Sequence, residues 1–189
     1  MKKVKLIGLL FVLFYLLIDN VNATTYYWMG GDGNWNDPSH WSTQFNPRVT
    51  AGSIPSLNDD IIVDTLSGNS AYNIHLNGNS RCRNFDVLNK KNGSVSIDNS
   101  SGIADTLFIG GSLSLLNGDN SFFWNYDGVI VFNSNSTNNF IKTNHQQFYN
   151  DVIFNGSGSW DINTAINWMD EIRLNSAHKL ILKNGTLNL

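Results

Sequence analysis

Three tryptophans near the N-terminus have the residue type and spacing to contact a carbohydrate. Trp28, Trp35 and Trp41 are separated by six and five residues, and turns at Gly30–Gly31 and Asp37–Pro38 interrupt the segment. A flat indole face can stack on a sugar ring, and an indole that packs inside a fold buries about 200 Å². Two interpretations follow: the trio contacts a glycan, or it forms a structural cap.

The same segment has oxygen-bearing side chains at alternate positions, as a calcium loop does. Asp32, Asn34 and Asn36 supply these oxygens. An EF-hand loop also needs Gly at its sixth position and Glu at its twelfth, where this chain has Asp37 and Thr43. An Asx turn explains the pattern better than a metal does. The sequence therefore predicts no metal site and no cofactor.

Catalytic arrangements are not recognisable in the sequence. Hydrolysis of glycosides needs two opposed carboxylates, but Glu occurs once and the Asp residues lie in turn-like contexts. A lyase-like enzyme would combine Arg or Lys with an acidic cluster, and Arg81 and Arg83 have no such cluster beside them in sequence. The four histidines lack metal-ligand spacing: His40, His75, His145 and His178. We therefore expect no enzymatic activity.

Charge and cysteine content exclude other classes of function. The chain has a net charge of −3 without clustered Lys or Arg, which argues against nucleic-acid binding. A single cysteine, Cys82, cannot form an internal disulfide. Two neighbouring arginines could lower its thiol pKa. A small residue in a β turn is the simpler interpretation.

The N-terminus reads as a secretory signal peptide over residues 1–23. Three lysines within the first five residues precede an apolar run, Leu6–Ile18, and Ala23 provides a small residue for cleavage. The run is shorter than the roughly 20 residues of a membrane span, because Asp19 interrupts it. We expect a mature chain that begins at Thr24, is secreted or surface-exposed, and has no membrane span after cleavage.

Short runs of β-branched and aromatic residues recur along the chain at intervals of roughly 20 to 25 residues. Most alternate apolar and polar positions, as half-buried strands do, and Asn-, Ser- and Gly-rich turns separate them. The main series comprises 61–63, 85–88, 107–109, 129–132, 152–154 and 172–174. The second series comprises 72–76, 95–97, 113–115, 160–162 and 180–182. The segment 166–172 could form a helical turn, but its place in the series favours a strand.

This recurrence predicts an all-β fold, a parallel β-solenoid (β-helix-like) with rungs of about 20–25 residues and a Trp-rich N-terminal cap. Each rung alone cannot bury its apolar face, so stacking supplies the stability. Leucine-rich repeats share the period, but their Leu and Asn pattern is absent. A β-sandwich, which also has many short strands, is the alternative.

The segment Trp28–Ser42 has the pattern W-x-G-G-x-G-x-W-x-D-P-x-x-W-S, and Pro55–Asp64 continues it with a turn and a strand. This resembles the N-terminal region of secreted, repeat-bearing, adhesin-like surface proteins of Gram-negative bacteria, associated with type IX secretion. The resemblance implies β-solenoid rungs, surface exposure and adhesion, and it implies no chemistry. Such chains usually continue for hundreds of residues, so we expect this one to be a fragment or a short relative.

The predicted organisation is a signal peptide over 1–23, a cap over 24–58 and solenoid rungs over 59–189 that continue in a longer parent protein. The bulky tryptophans would cover the exposed edge of the first rung. The expected function is that of a non-catalytic extracellular module, adhesin-like or structural. A carbohydrate-binding module or polysaccharide lyase-like unit is the alternative. Its partners would be extracellular glycans or a neighbouring cell surface.

Overall fold

The computed structural model describes residues 23–78, 80–88, 93–99, 105–115, 122–125, 128–144, 146–162, 172–174 and 176–189. The regular secondary structure of the described residues consists of β-strands and one 3₁₀ turn at Pro38–His40. The signal-peptide prediction lies outside these residues apart from Ala23. The strand predicted over 166–172 lies outside them apart from Ile172.

The strands form three sheets and one two-stranded pair. The first sheet contains β1 (Thr25–Trp28), β3 (Trp41–Ser42), β4 (Asp60–Val63), β7 (Phe85–Val87), β10 (Leu113–Leu115), β13 (Asn139–Lys142), β16 (Ser159–Asp161) and β19 (Thr186–Asn188). The second contains β2 (Gly33–Asn34), β5 (Tyr72–Leu76), β8 (Val95–Asn99) and β11 (Phe122–Asn125). The third contains β6 (Ser80–Cys82), β9 (Thr106–Ile109), β12 (Val129–Phe132), β15 (Asp151–Phe154) and β18 (Leu180–Leu182). The pair is β14 (Gln147–Phe148) with β17 (Arg173–Leu174).

From β4 onward, consecutive strands belong to different sheets, and each strand pairs with a strand of a neighbouring turn. The path β4, β5, β6, β7 passes through all three sheets before the chain returns to the first. Pairing among the described strands is parallel, except that β3 runs antiparallel to β1. The predicted parallel β-solenoid is therefore confirmed, and two facing antiparallel sheets are absent from the described part of the chain.

The length of a rung varies more than the sequence pattern indicated. In the first sheet, the chain advances 24 residues from Ile61 to its partner Phe85, and 28 from Phe85 to Leu113. It advances only 21 residues from Asn139 to Trp160. The strand spacing is fixed by backbone hydrogen bonding at about 4.8 Å, so the corner loops absorb the difference in length.

The main series of apolar runs contains strands from more than one face of the solenoid. The runs at 61–63 and 85–87 lie in the first sheet, and those at 107–109 and 129–132 lie in the third. All faces need apolar residues on their inner side, so hydrophobicity alone cannot assign a run to a face. Because the corner loops differ in length, apolar runs at similar intervals in the sequence do not all fall in the same sheet.

The interior is a continuous apolar column. Alternation along each strand sends every second side chain inward, and in-register pairing stacks these side chains from rung to rung. Ile61, Phe85 and Leu113 form such a stack and are completely buried. Phe132 and Phe154 stack with ring centroids 5.0 Å apart and nearly parallel planes.

Candidate functional site

The three predicted tryptophans lie together in the interior at the N-terminal end. Trp28 ends β1, Trp35 follows β2 and Trp41 begins β3. Their exposed fractions are 0%, 1% and 0%. Trp41 packs edge-on against both of the others, at centroid distances of 5.0 Å to Trp28 and 5.1 Å to Trp35. The Trp41 Nε1–H also donates to the Trp35 carbonyl at 2.7 Å.

At Gly30 and Gly33, the backbone and a neighbouring ring leave no space for a side chain. Gly30 has a φ of +101°, and a Cβ atom there would lie 2.6 Å from the Ser67 carbonyl oxygen. A Cβ at Gly33 would lie 2.2 Å from the His40 Nε2 atom. The His40 ring occupies that space because it stacks on Trp28, with centroids 4.9 Å apart and planes 10° apart.

The acidic residues of the segment bind backbone amides. The Asp37 carboxylate accepts a hydrogen bond of 2.9 Å from the Ser39 amide, and this bond lowers the pKa of Asp37 below its usual value. It caps the 3₁₀ turn that begins at Pro38. The Asp32 carboxylate accepts 2.7 Å from the Asn73 amide. The Asp37 contact is a local Asx turn, as the sequence favoured, whereas the Asp32 contact joins two neighbouring rungs.

Arg48, which the sequence analysis missed, holds the following loop against the cluster. Its side chain is 8% exposed, and its guanidinium binds the Trp28 carbonyl, the Asp64 carboxylate and, at 3.0 Å, the Ser67 hydroxyl. It also lies over the Tyr27 ring at 5.3 Å. A lone arginine in a loop has no sequence pattern that predicts such a role.

The burial of the tryptophan cluster bears on the two interpretations of the trio. Trp35 contributes to the wall of a groove of about 200 Å³ that Asn36, Asn77 and Arg81 also line. Yet its exposed fraction of 1% leaves no indole face for a sugar ring to stack on. The geometry therefore favours a structural role. The predicted cap is also part of the solenoid, since β1 and β2, within residues 24–58, pair in parallel with β4 and β5.

Cys82 and the two arginines beside it do not form a reactive site. Cys82 is fully buried in β6, within a strand and not in the predicted turn. Burial raises the pKa of its thiol well above the usual value, and the negative charges of Asp60 and Asp86 add to this effect. Arg81 lies 5.8 Å from the Phe108 ring centroid, and Arg83 binds Asp60.

Each histidine that the structure describes has a different partner. His40 stacks in the tryptophan cluster, His75 pairs with Asp98 on the second sheet, and His178 lies 3.6 Å from Asp151. His145 lies outside the described residues. No group of three potential metal-binding His, Cys, Asp or Glu side chains is found within the described ranges.

The outer side of the first sheet presents two rows of side chains that run along the solenoid axis. They face outward because their sequence neighbours, such as Phe85 and Leu113, point into the core. The row we call the paired row comprises Asp60, Asn84, Ser112, Phe140, Asp161 and Asn188. The row we call the open row comprises Ile62, Asp86, Ser114 and Lys142.

Members of the paired row are hydrogen-bonded to one another. The Asn84 side-chain amide donates to Asp60 at 2.8 Å, and its oxygen accepts 2.7 Å from the Ser112 amide. Further along the axis, the Asn188 side-chain amide donates to Asp161 at 2.8 Å. Such ladders stabilise stacked strands, because each polar group is satisfied by the rung above or below.

The open row contains acidic, hydroxyl and basic groups on three successive rungs. Asp86 pairs with Ser114, and Ser114 pairs with Lys142, so the three side chains stand about 4.8 Å apart along the axis. Asp60 lies in the neighbouring paired row, and Arg83 binds it. The sequence did not predict this grouping, because 56 residues separate Asp86 from Lys142.

Within the described residues, the structure has no helix with the length and hydropathy of a membrane-spanning segment. Comparison with known proteins adds no further assignment, because no family model, curated protein or solved structure matches this chain.

Proposed function

We propose that this chain is a secreted, non-catalytic β-solenoid module of the extracellular space or cell surface, adhesin-like or structural. The support for export is the sequence, with its lysines, its apolar run at Leu6–Ile18 and a small residue at Ala23. The support for a scaffold role is the hydrogen-bonded paired row, which needs no ligand to satisfy its polar groups. That row is the observation on which the proposal depends most.

The mechanism that fits this architecture is presentation. A stack of rungs with an apolar interior is stiff, and its outer faces are free to carry many weak contacts along one axis. The proposal of kinship with type IX-associated surface proteins rests on the tryptophan segment, whose glycines, Asp37 and His40 all have structural roles.

Export can be tested by following where the chain accumulates. Leu10→Arg places a charge in the apolar run and should keep the chain in the cytoplasm, whereas Leu66→Arg, at an exposed position, should leave export unchanged. Cell fractionation, protease treatment of intact cells and mass spectrometry of the N-terminus give the readouts. Retention of the unaltered chain in the cytoplasm would contradict the proposal.

A carbohydrate-active unit is the second candidate, and the outer face of the first sheet favours it. Asp60 and Asp86 come from adjacent rungs and lie near Arg83 and Lys142. An enzyme of this kind should release reducing ends from a polysaccharide, and Asp86→Asn or Arg83→Met should abolish that release. Lys179→Met, at an exposed position, is the matched control. Cleavage that depends on Asp86 or Arg83 would replace the non-catalytic proposal.

A further inference from the structure

The two rows on the outer face of the first sheet differ in how their polar groups are satisfied. In the paired row, neighbours donate and accept hydrogen bonds across the rungs. In the open row, no side-chain hydrogen bond joins Asp86, Ser114 and Lys142 to each other or to other described residues, although their backbones pair within the sheet. On the same face, the polar side chains of one row are hydrogen-bonded to their neighbours and those of the other row are not.

Ser114 is the clearest case. Its side chain is 4% exposed, and it points outward because Leu113 and Leu115 on either side are in the core. Its hydroxyl group has no partner in the part of the chain that the structure describes. Its oxygen is not one of the fully buried polar atoms that lack a partner, so it keeps access to the outer face of the sheet. A molecule bound on that face can hydrogen-bond to it.

Asp86 lies on the rung before Ser114 and is half-buried. Burial raises the pKa of its carboxyl group to about 6, the charge of Asp60 adds to the effect, and Lys142 opposes it. Strongly shifted carboxyl groups are concentrated at functional sites, although structural networks also produce them. Here the network explanation is weak, because Asp86 has no hydrogen-bonded partner among the described residues.

Lys142 completes the row on the rung after Ser114. Its Nζ atom lies 4.9 Å from the centroid of the Phe140 ring, and this contact holds the ammonium group beside the row. Asp86, Ser114 and Lys142 thus present an acceptor, a hydroxyl group and a donor at successive steps of about 4.8 Å.

We propose that the open row is a binding site for a neutral saccharide that lies along the solenoid axis, across β7, β10 and β13. This inference rests on the proposed function, because it names the class of ligand that such a module would bind. Asp86 accepts hydrogen bonds from sugar hydroxyls, Lys142 donates to them, and Ser114 does both. The opposite charges at the two ends disfavour a strongly charged ligand, because an anion meets Asp86 and a cation meets Lys142.

The site should bind its ligand more weakly than a deep pocket would, because it lies on an open sheet face. Repetition along the axis compensates for this, since a chain of sugars contacts several rungs at once. Ile62, at the start of the row, pairs with Asp86 and supplies apolar surface next to the polar groups.

The test uses the purified full chain on arrays of neutral and acidic glycans, followed by titration calorimetry with the strongest neutral oligosaccharide. Ser114→Ala and Lys142→Met should each weaken binding about tenfold, or about 1.4 kcal/mol. Ser96→Ala, on the second sheet, and Lys179→Met should stay within twofold of the unaltered chain. Circular dichroism of each variant checks that it is folded.

Three results would overturn the inference: no binding to any neutral glycan, unchanged affinity in folded Ser114→Ala and Lys142→Met, or equal losses in the controls. Binding restricted to acidic glycans would also overturn it, because it would assign a charged ligand. None of these outcomes bears on export, which fractionation measures separately. A failure of the saccharide site is therefore distinguishable from a failure of the proposed function.

Discussion

The first and last rungs of the described solenoid differ in how their apolar side chains are covered. At the N-terminal end, β3 pairs antiparallel with the first parallel strand, and three buried indoles fill the interior beneath it. At the other end, Leu180, Leu182 and Leu189 are 42%, 53% and 83% exposed. The described part of the chain places no further strand beyond β18 and β19.

This difference separates the requirements for an end from those for a middle rung. A middle rung needs only alternating apolar residues, because the rungs on both sides cover it. A closed end needs large side chains and a reversal of chain direction. The three tryptophans supply the large side chains. The glycines near Trp28 and the hydrogen bonds of Arg48 support the reversal. Such an end depends on specific residues.

The largest effect should come from truncating the cluster at the closed end. Trp41→Ala removes a fully buried indole and the hydrogen bond to Trp35, and should lower the free energy of unfolding by about 3–5 kcal/mol. Urea denaturation followed by circular dichroism measures the loss. Tyr149→Ala, at a side chain 46% exposed, should cost less than about 0.5 kcal/mol. Similar losses in both variants would remove the distinction between cluster and surface.

Loss of the Arg48 interactions should have the next largest effect. Arg48→Met leaves the buried Asp64 carboxylate without its cation and should cost about 3 kcal/mol. Adding Asp64→Asn should recover part of this loss, because the uncompensated charge is then gone. A double-mutant cycle by urea denaturation gives the coupling free energy. A value near zero would mean that Arg48 does not act through Asp64.

A smaller effect should follow from cleavage before Thr24. The Thr24 nitrogen lies 3.1 Å from an Asp59 carboxylate oxygen, so cleavage would turn a neutral amide donor into an ammonium group at that place. Asp59→Asn should then cost about 0.5–1 kcal/mol more in the processed chain than in a chain extended by the preceding residues. Equal costs, measured by thermal unfolding of both forms, would argue against an ion pair at this end.

The smallest effect on stability should be in β18, which belongs to the last described rung. Leu182→Ser changes a half-exposed side chain and should alter the free energy of unfolding by less than about 0.5 kcal/mol. It should instead reduce self-association, because exposed apolar side chains on an uncovered rung promote contacts between molecules. Light scattering over a range of concentrations measures this. Unchanged association would show that the exposed leucines are not a contact surface.

The sequence was sufficient for the architecture because alternation and turn residues are local signals. The runs around Ile61, Phe85 and Val152 all became strands whose inner side chains are buried. Which strands become neighbours depends on corner lengths, which have no comparable signal. For this reason, runs that form one series in the sequence lie in different sheets of the structure.

The candidate sites were harder to predict for the same reason. Asp86, Ser114 and Lys142 become neighbours only through register, and their surroundings in sequence give no indication of it. The tryptophans were identified correctly as a unit, but sequence could not decide between exposed and buried indoles. The contact of His40 with Gly33 and Trp28 depends on the folded turn.

The parallel pairing has a mechanical consequence. Interstrand hydrogen bonds run along the solenoid axis. A force that pulls the two ends apart therefore breaks the hydrogen bonds of one rung before those of the next. Rungs of 21 to 28 residues would each release roughly 70–100 Å of slack, given about 3.3–3.6 Å per extended residue. A force trace with steps of that size, beginning at the Leu189 end and halting at the Trp41 reversal, would be the signature of this architecture under tension.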